Sequence, residues 1–181
     1  SSGKQGYAIA EALLHKGADV ILVTGPSALP PPPGAHLIAV QTAEEMWQAT
    51  EAHLPVDLAI CTAAVADWRV EKAAPHKMKK QEDSLSLTLT QNRDILASLA
   101  HHSLRPQLLI GFAAETENVV ENAKAKLSKC DWVIANDVSQ GVFGSDFTQV
   151  HWLTQAGCET WPPCEKRDVA QKLATLCEGA L

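Results

Sequence analysis

The sequence predicts an α/β protein with a Rossmann-like, doubly wound and mostly parallel sheet, and three observations carry that prediction. Short continuous apolar runs recur along the chain, the pattern of strands buried on both faces. Stretches of helical spacing separate them, which places helices on both sides of a parallel sheet. The length of 181 residues suits one domain of about 100–200 residues, large enough to bury a core without staples.

The elements follow in order. After Gly6, the residues Ile9, Ala12 and Leu13 repeat at helical spacing and Gly17 ends the run as a cap. Val20 to Val23 and Leu37 to Val40 then read as buried strands. Thr42 with Glu45 three residues on forms a capping box that opens a helix running to about Ala52. Leu58 to Cys61, Leu108 to Ile110 and Trp132 to Ala135 are the third, fourth and fifth strands, with helical stretches at Asp94 to Ala100 and Asn118 to Leu127 around the fourth. Leu85 to Thr90 alternates strictly with period 2, which describes an antiparallel or edge strand with one wet face. Val150 to Thr154 and Cys158 to Trp161, joined through Gly157, read as a terminal hairpin before a last helix, Arg167 to Cys177. Pro30 to Pro33 is a stiff surface loop.

Composition removes several function classes. No apolar run approaches the roughly 18 residues that a membrane-spanning helix needs. With 15 Lys+Arg against 21 Asp+Glu the formal net charge is −6, which disfavours bulk nucleic-acid binding because an acidic chain repels a polyphosphate. Five cysteines, odd in number and without a C-x-x-C pair, argue against a disulfide framework or a zinc knuckle and suit a reducing cytoplasm. The seven histidines show no metal-pair spacing, and no Ser/His/Asp or Cys/His hydrolase set is present. The opening Ser1-Ser2-Gly3-Lys4-Gln5-Gly6, without a Met, a signal peptide or a preceding strand, reads as a fragment of something longer.

In an open parallel sheet, ligands bind beyond the carboxyl ends of the strands. The Gly-rich opening precedes a helix, and its free N–H groups and hydroxyls form either a phosphate cradle or a plain cap. It is not a Walker loop. A dinucleotide site would want an acidic residue where the first strand ends, yet Thr24-Gly25-Pro26 stands there. Thr62-Ala63-Ala64-Val65-Ala66-Asp67-Trp68 follows the third strand; its small residues leave backbone groups open to a planar ligand, and Asp67 suits ribose hydroxyls or a cation, or is an ordinary surface residue. Lys77-Met78-Lys79-Lys80 is either a solvated face or a clamp on a polyanion. Asn92 is expected as the N-cap of the helix that follows, leaving the N–H groups of residues 93 to 96 (Arg93, Asp94, Ile95 and Leu96) open to a ligand. Phe112 offers a ring face for a base or simply packs in the core, and Lys126 and Lys129 reach phosphates or suit the helix dipole.

Seven motifs in order, Ser1-Ser2-Gly3-Lys4-x-Gly6, Gly17-Ala18-x-Val20, Ala63-Ala64-Val65-Ala66-Asp67, Lys77-Met78-Lys79-Lys80, Asn92-x-Asp94-Ile95, Gly111-Phe112-Ala113-Ala114-Glu115-Thr116 and Ala135-Asn136-Asp137-Val138-Ser139, resemble bacterial phosphopantothenoylcysteine synthetase. The resemblance spans residues 1 to about 146. In that family the domain is usually the C-terminal half of a bifunctional protein whose first half is a flavin-dependent decarboxylase, so FMN is expected only in that half. The resemblance implies a coenzyme A biosynthesis ligase, cytoplasmic and homodimeric, that uses CTP with Mg²⁺ to join 4'-phosphopantothenate and L-cysteine through an acyl-cytidylate. It implies that Ser1 and Gly3 touch phosphates, that the backbone at Cys61, Thr62 and Ala63 lines the nucleotide pocket, and that Asp67 contacts CTP. Lys77 would stabilise charge on the reacting phosphate, residues 93 to 96 and Phe112 would frame the cytidine, and Lys126 and Lys129 would bind phosphate. Residues 1–181 would form one nucleotide-binding synthetase domain, truncated at its N-terminus, with a flap at residues 70–92 that dimerises through Leu85 to Thr90. The family's usual Pro is replaced by Arg93, and a strand and loop that lie upstream in the family fall outside this chain. Two other readings share the fold: an NAD(P)-linked oxidoreductase and a non-catalytic nucleotide-binding module.

Overall fold

A computed structural model describes residues 2–72, 86–115, 117–137 and 147–181. The chain runs α1 (Lys4–His15), β1 (Ile21–Thr24), β2 (His36–Ala39), α2 (Ala43–Glu51), β3 (Leu58–Cys61), β4 (Trp68–Val70), β5 (Leu89–Gln91), α3 (Ile95–Ala100) and β6 (Leu108–Glu115). It continues through α4 (Val119–Lys126), β7 (Trp132–Asp137), β8 (Phe147–Thr148), β9 (Val150–Thr154), β10 (Gly157–Thr160), β11 (Cys164–Glu165) and α5 (Lys166–Ala180).

The main sheet has five strands in the order β10-β9-β7-β6-β3. β3, β6 and β7 are parallel, while β9 joins β7 antiparallel and turns back through Gln155 and Ala156 into β10, of which Gly157 is the first residue. The mixed, parallel-rich sheet and the terminal hairpin agree with the sequence pattern. β6 and β7 show why parallel strands read as unbroken apolar runs. Leu108, Ile110 and Ile134 enter a core shared with Ile9 and Ala12 of α1 and Val169, Leu173 and Cys177 of α5. Leu109, Ala113, Val133 and Ala135 point to the other face, into a core with Leu99 of α3 and Ala123 of α4. Each fully buried Leu or Ile contributes about 1.5–3 kcal/mol of transfer free energy, so these two strands anchor both layers.

Two expectations change. β1 and β2, read as buried on both faces, are half-buried or exposed and pair only with each other in a separate parallel ribbon. Their continuous apolar pattern reports a strand made to be covered, yet among the described residues no other strand pairs with them. The alternating stretch is a strand only from Leu89, and it pairs antiparallel with β4. Leu85 lies outside the described residues.

Caps define the helix ends. Thr42 Oγ1 accepts the Glu45 N–H at 3.1 Å, but the Glu45 carboxylate reaches back to the Gln41 N–H at 2.8 Å, one residue beyond a reciprocal box. At α5 the box is complete, with Glu165 and Asp168 as the partners.

Candidate functional site

A groove of about 1190 Å³ runs beside β1 and β3 and reaches the loop beyond the carboxyl end of β3. Cys61, Thr62, Ala63 and Asp67 border it from the loop after β3, Arg93, Asp94, Ile95 and Leu96 from the start of α3, and Phe112, Lys126 and Lys129 from β6 and the end of α4. Eleven of the residues singled out in the sequence thus meet in one place, although they come from four separate stretches of chain. Ser1 and Lys77 lie outside the described residues.

Close backbone approach shapes this site. Gly6 of α1 sits against Thr62, where a Cβ would come within 2.7 Å of Oγ1. The Gly-rich opening therefore touches the loop after β3. Gly3 caps α1 with φ of 75°, a left-handed conformation that glycine adopts without penalty. It stands near Ser27 and Tyr7 and is not among the groove residues. Gly111 of β6 plays a role like that of Gly6: a Cβ there would lie 2.9 Å from Leu96, so its absence lets α3 settle on the sheet.

The loop after β3 is latched rather than loose. The Asp67 carbonyl accepts the Asn92 N–H at 2.7 Å, and Asn92 Nδ2 donates to the Ala66 carbonyl at 2.8 Å. Asn92 is therefore not the N-cap that its position suggests. Asp94 takes that role, its Oδ1 accepting the Ala97 N–H at 2.9 Å. The Asn92 amide and the Asp94 carboxylate both suit the helix start, and the Ala66 carbonyl draws Asn92 away. As a consequence the Asp94 carboxylate already occupies the Ala97 amide and a second one at Leu96.

The cations divide into two kinds. Lys129 Nζ lies 2.8 Å from Asp94 Oδ2, so its charge is compensated. Burial tends to raise the Asp94 pKa, but the hydrogen bonds from Ala97 and Lys129 outweigh it and hold the carboxyl below the ordinary Asp value. Lys126 Nζ instead donates to the Phe112 carbonyl at 3.0 Å. Among the described residues no carboxylate stands within ion-pair distance of Lys126. Its charge is thus positioned by a neutral acceptor at the groove, beside the half-buried Phe112, while the Phe112 ring also packs against the core.

Arg93 borders the groove with its guanidinium 5.1 Å over the Trp47 ring, close to Glu44. The Cys61 thiol is pushed up to about 12 by burial, with Cys130 and Asp94 adding to it. Such a thiol is a packing group and not a nucleophile. Among the described residues no group of three or more His, Cys, Asp or Glu side chains is placed to hold a metal ion.

Sequence reasoning missed the latch at Asn92 and the Arg69 guanidinium that bonds Gln91 O at 2.6 Å and Asn92 Oδ1 at 3.2 Å. Both depend on the β4–β5 pairing, which short three-residue strands do not announce.

The sequence matches the DNA/pantothenate metabolism flavoprotein C-terminal domain over residues 1–179. The chain belongs to this family. Among its relatives is the coenzyme A biosynthesis bifunctional protein CoaBC of Haemophilus influenzae, 45% identical over 150 residues, covering 81% of this chain and 38% of that protein. The CoaBC protein of Escherichia coli K12 is 41% identical over 181 residues, covering 96% of this chain and 45% of that one. This member of the flavoprotein C-terminal domain family therefore spans less than half the length of those curated relatives. A crystal structure of the C-terminal domain of CoaBC superposes with a TM-score of 0.82 at 37% identity, covering 99% of this chain and 83% of that one.

Proposed function

We propose that this chain is the ligase domain of coenzyme A biosynthesis, joining 4'-phosphopantothenate to L-cysteine at the expense of CTP. The observation that supports it most is the groove itself, where the Asn92-latched loop, the Phe112 ring and the Lys126 ammonium meet at the carboxyl ends of parallel strands. The relatives named as coenzyme A biosynthesis proteins support this reading.

In this reading a carboxylate oxygen of phosphopantothenate attacks the α-phosphorus of CTP, and the bond to the bridging oxygen breaks to release pyrophosphate. The cysteine amine then attacks the acyl carbon; the carbon–oxygen bond to the phosphate breaks and CMP leaves with the electron pair. Lys126 holds phosphate near Phe112, whose ring frames the cytidine. Ser1 and Lys77, outside the described residues, contribute phosphate contacts, and Lys77 meets the charge that develops at the α-phosphate. Lys129 acts through Asp94, fixing the start of α3. Mg²⁺ would arrive with the triphosphate, as the described residues offer no cluster of their own for it.

The β4–β5 ribbon supports a homodimer. Trp68, Val70 and Leu89 lie on one face of this ribbon and are 53%, 37% and 51% exposed, an apolar stripe of the sort that marks an interface. The activity of a longer protein that contains this domain, the decarboxylase half included, belongs to the same proposal, as does a cytoplasmic location; no helix among the described residues is long and apolar enough to cross a membrane.

The test is pyrophosphate release with CTP, phosphopantothenate and cysteine. Release that depends on CTP, and that falls at least tenfold in Lys126→Ala and in Lys77→Gln, is the expected result. Unchanged release in both variants overturns the assignment of the two lysines. A thermal-shift series with CTP, ATP, GTP and NAD sorts the alternatives, and greatest stabilisation by NAD would replace the ligase with an oxidoreductase.

A further inference from the structure

The first turn of α3 borders the groove, and more than its cap holds it in place. α3 has six residues, Ile95–Ala100, and a helix that short is marginal in water by itself. What it packs against therefore decides where its start stands. On one flank Lys129, beyond the end of α4, anchors it through the Asp94 carboxylate. On the other flank it meets α2, where Trp47 is in contact with both of its ends. The Arg93 guanidinium, just before α3, lies 5.1 Å over the Trp47 ring. The His102 ring, just after α3, stands edge-on to the same indole at 6.2 Å. Two carboxylates of α2 repeat this arrangement: Glu44 Oε2 is 4.0 Å from Arg93 Nε, and Glu51 Oε1 is 3.6 Å from His102 Nε2.

Trp47 is only 5% exposed and shares its core with Leu99, the fully buried residue of α3. It is not among the groove residues, whereas Arg93 is. The Arg93 guanidinium is nevertheless committed to Trp47 and Glu44, so its charge acts on the placement of α3. A cation over an indole face gains as the pair is desolvated, and here the indole is buried. A ligand that needs the first turn of α3 in place binds with its intrinsic affinity scaled by the fraction of molecules that hold that turn. We propose that Trp47 is a positioning residue for the groove: with Arg93 stacked on it, it fixes the first turn of α3 and so sets the affinity for a nucleotide. The nucleotide part rests on the ligase reading; the placement of α3 does not.

The test compares Arg93→Met, Trp47→Leu, the pair of changes and Trp47→Phe with the wild type, by calorimetric titration with CTP well below each unfolding midpoint. Arg93→Met should weaken CTP binding about two- to fivefold, the size of a cation stacked on an indole at a partly exposed site. Trp47→Leu should weaken it at least as much. The double variant should be no weaker than Trp47→Leu, because both changes remove one shared contact. Trp47→Phe keeps a ring face under Arg93 and should stay within about twofold of the wild type. Without nucleotide, hydrogen exchange should quicken in Arg93→Met and in Trp47→Leu at the amides of Ala97 and Ser98, which bond Asp94 Oδ1 and the Asp94 carbonyl.

Losses that add in the double variant would overturn the proposal, because Arg93 would then touch the ligand itself. So would a Trp47→Phe loss as large as that of Trp47→Leu, or wild-type affinity in Arg93→Met. Arg93 is exposed, so Arg93→Met and Trp47→Phe decide the matter even if Trp47→Leu does not fold. A wild type that binds no CTP would remove the ligase reading alone. Exchange at Ala97 and Ser98 then decides: quickening in Arg93→Met upholds the positioning role, and unchanged exchange overturns it.

Discussion

Gly6→Ala tests whether helix α1 and the loop after β3 are held in contact at the groove. Gly6 is helical and needs no positive φ; what it needs is space. A Cβ there would stand 2.7 Å from Thr62 Oγ1 and 3.7 Å from Thr62 Cβ, and the first distance is well inside van der Waals separation. Thr62 is β-branched and turns away only by leaving its rotamer. Alanine gains about 0.5–1 kcal/mol over glycine in a helix, while overpacking costs about 1–3 kcal/mol. The net is a destabilisation of about 1 kcal/mol, within a range of about 0–2.5 kcal/mol, and a Tm lower by about 2–4 °C for each kcal/mol at this chain length. In a Thr62→Ala background the overlap disappears, so the same Gly6→Ala change should stabilise by about 0.5–1 kcal/mol. Urea unfolding of the wild type, both single variants and the double variant reads a coupling of about 1–3 kcal/mol. A Gly6→Ala gain of equal size in both backgrounds would refute the contact. CTP affinity should fall in Gly6→Ala alone and return in the double variant if the loop carries the nucleotide.

Other outcomes follow from the same geometry. Asp94→Ala removes the α3 cap and the Lys129 partner and should cost about 1 kcal/mol at pH 7; because the folded-state carboxyl lies below its ordinary value, the stabilisation is present above the unfolded pKa and is lost as pH falls through the folded one. Urea midpoints for wild type and variant should therefore converge toward pH 3, and a gap that widens there would contradict the assignment. Cys61, with its thiol at about 12, and Cys177, pushed up to about 11 by burial, should resist a thiol reagent at pH 8 while the exposed Cys158 reacts; equal labelling of Cys61 and Cys158 by mass spectrometry would show that the groove is not packed as described. Trp68→Lys should leave monomer stability within about 0.5 kcal/mol but shift the sedimentation coefficient from dimer toward monomer, and a variant that sediments as the wild type excludes the ribbon as the interface.

The secondary structure was legible wherever a local rule governs it. Leu58 to Cys61 matched a strand residue for residue, Thr42 and the Val119–Lys126 stretch matched caps and helical spacing, and the terminal hairpin was found, although its turn is Gln155–Ala156 and Gly157 already belongs to β10. So was the site as a set of positions, since parallel strands deliver their C-terminal loops to one edge whatever the details of packing. What stayed hidden depends on partners distant in sequence. Asn92 and Asp94 are both good N-caps, and the choice fell to Asp94 because Asn92 is taken by Ala66, 26 residues away. Lys126 and Lys129 look alike in sequence; 14 residues separate the first from its carbonyl partner and 35 the second from its carboxylate, so only tertiary structure sets one against a neutral acceptor and the other against a carboxylate. The apolar runs of β1 and β3 recorded that both strands are made for a covered sheet, because burial on two faces selects side chains one residue at a time. Which edges pair is made by the backbone and leaves no mark on residue type, and so only the tertiary structure shows β1 paired with β2 and β3 with β6 among the described residues.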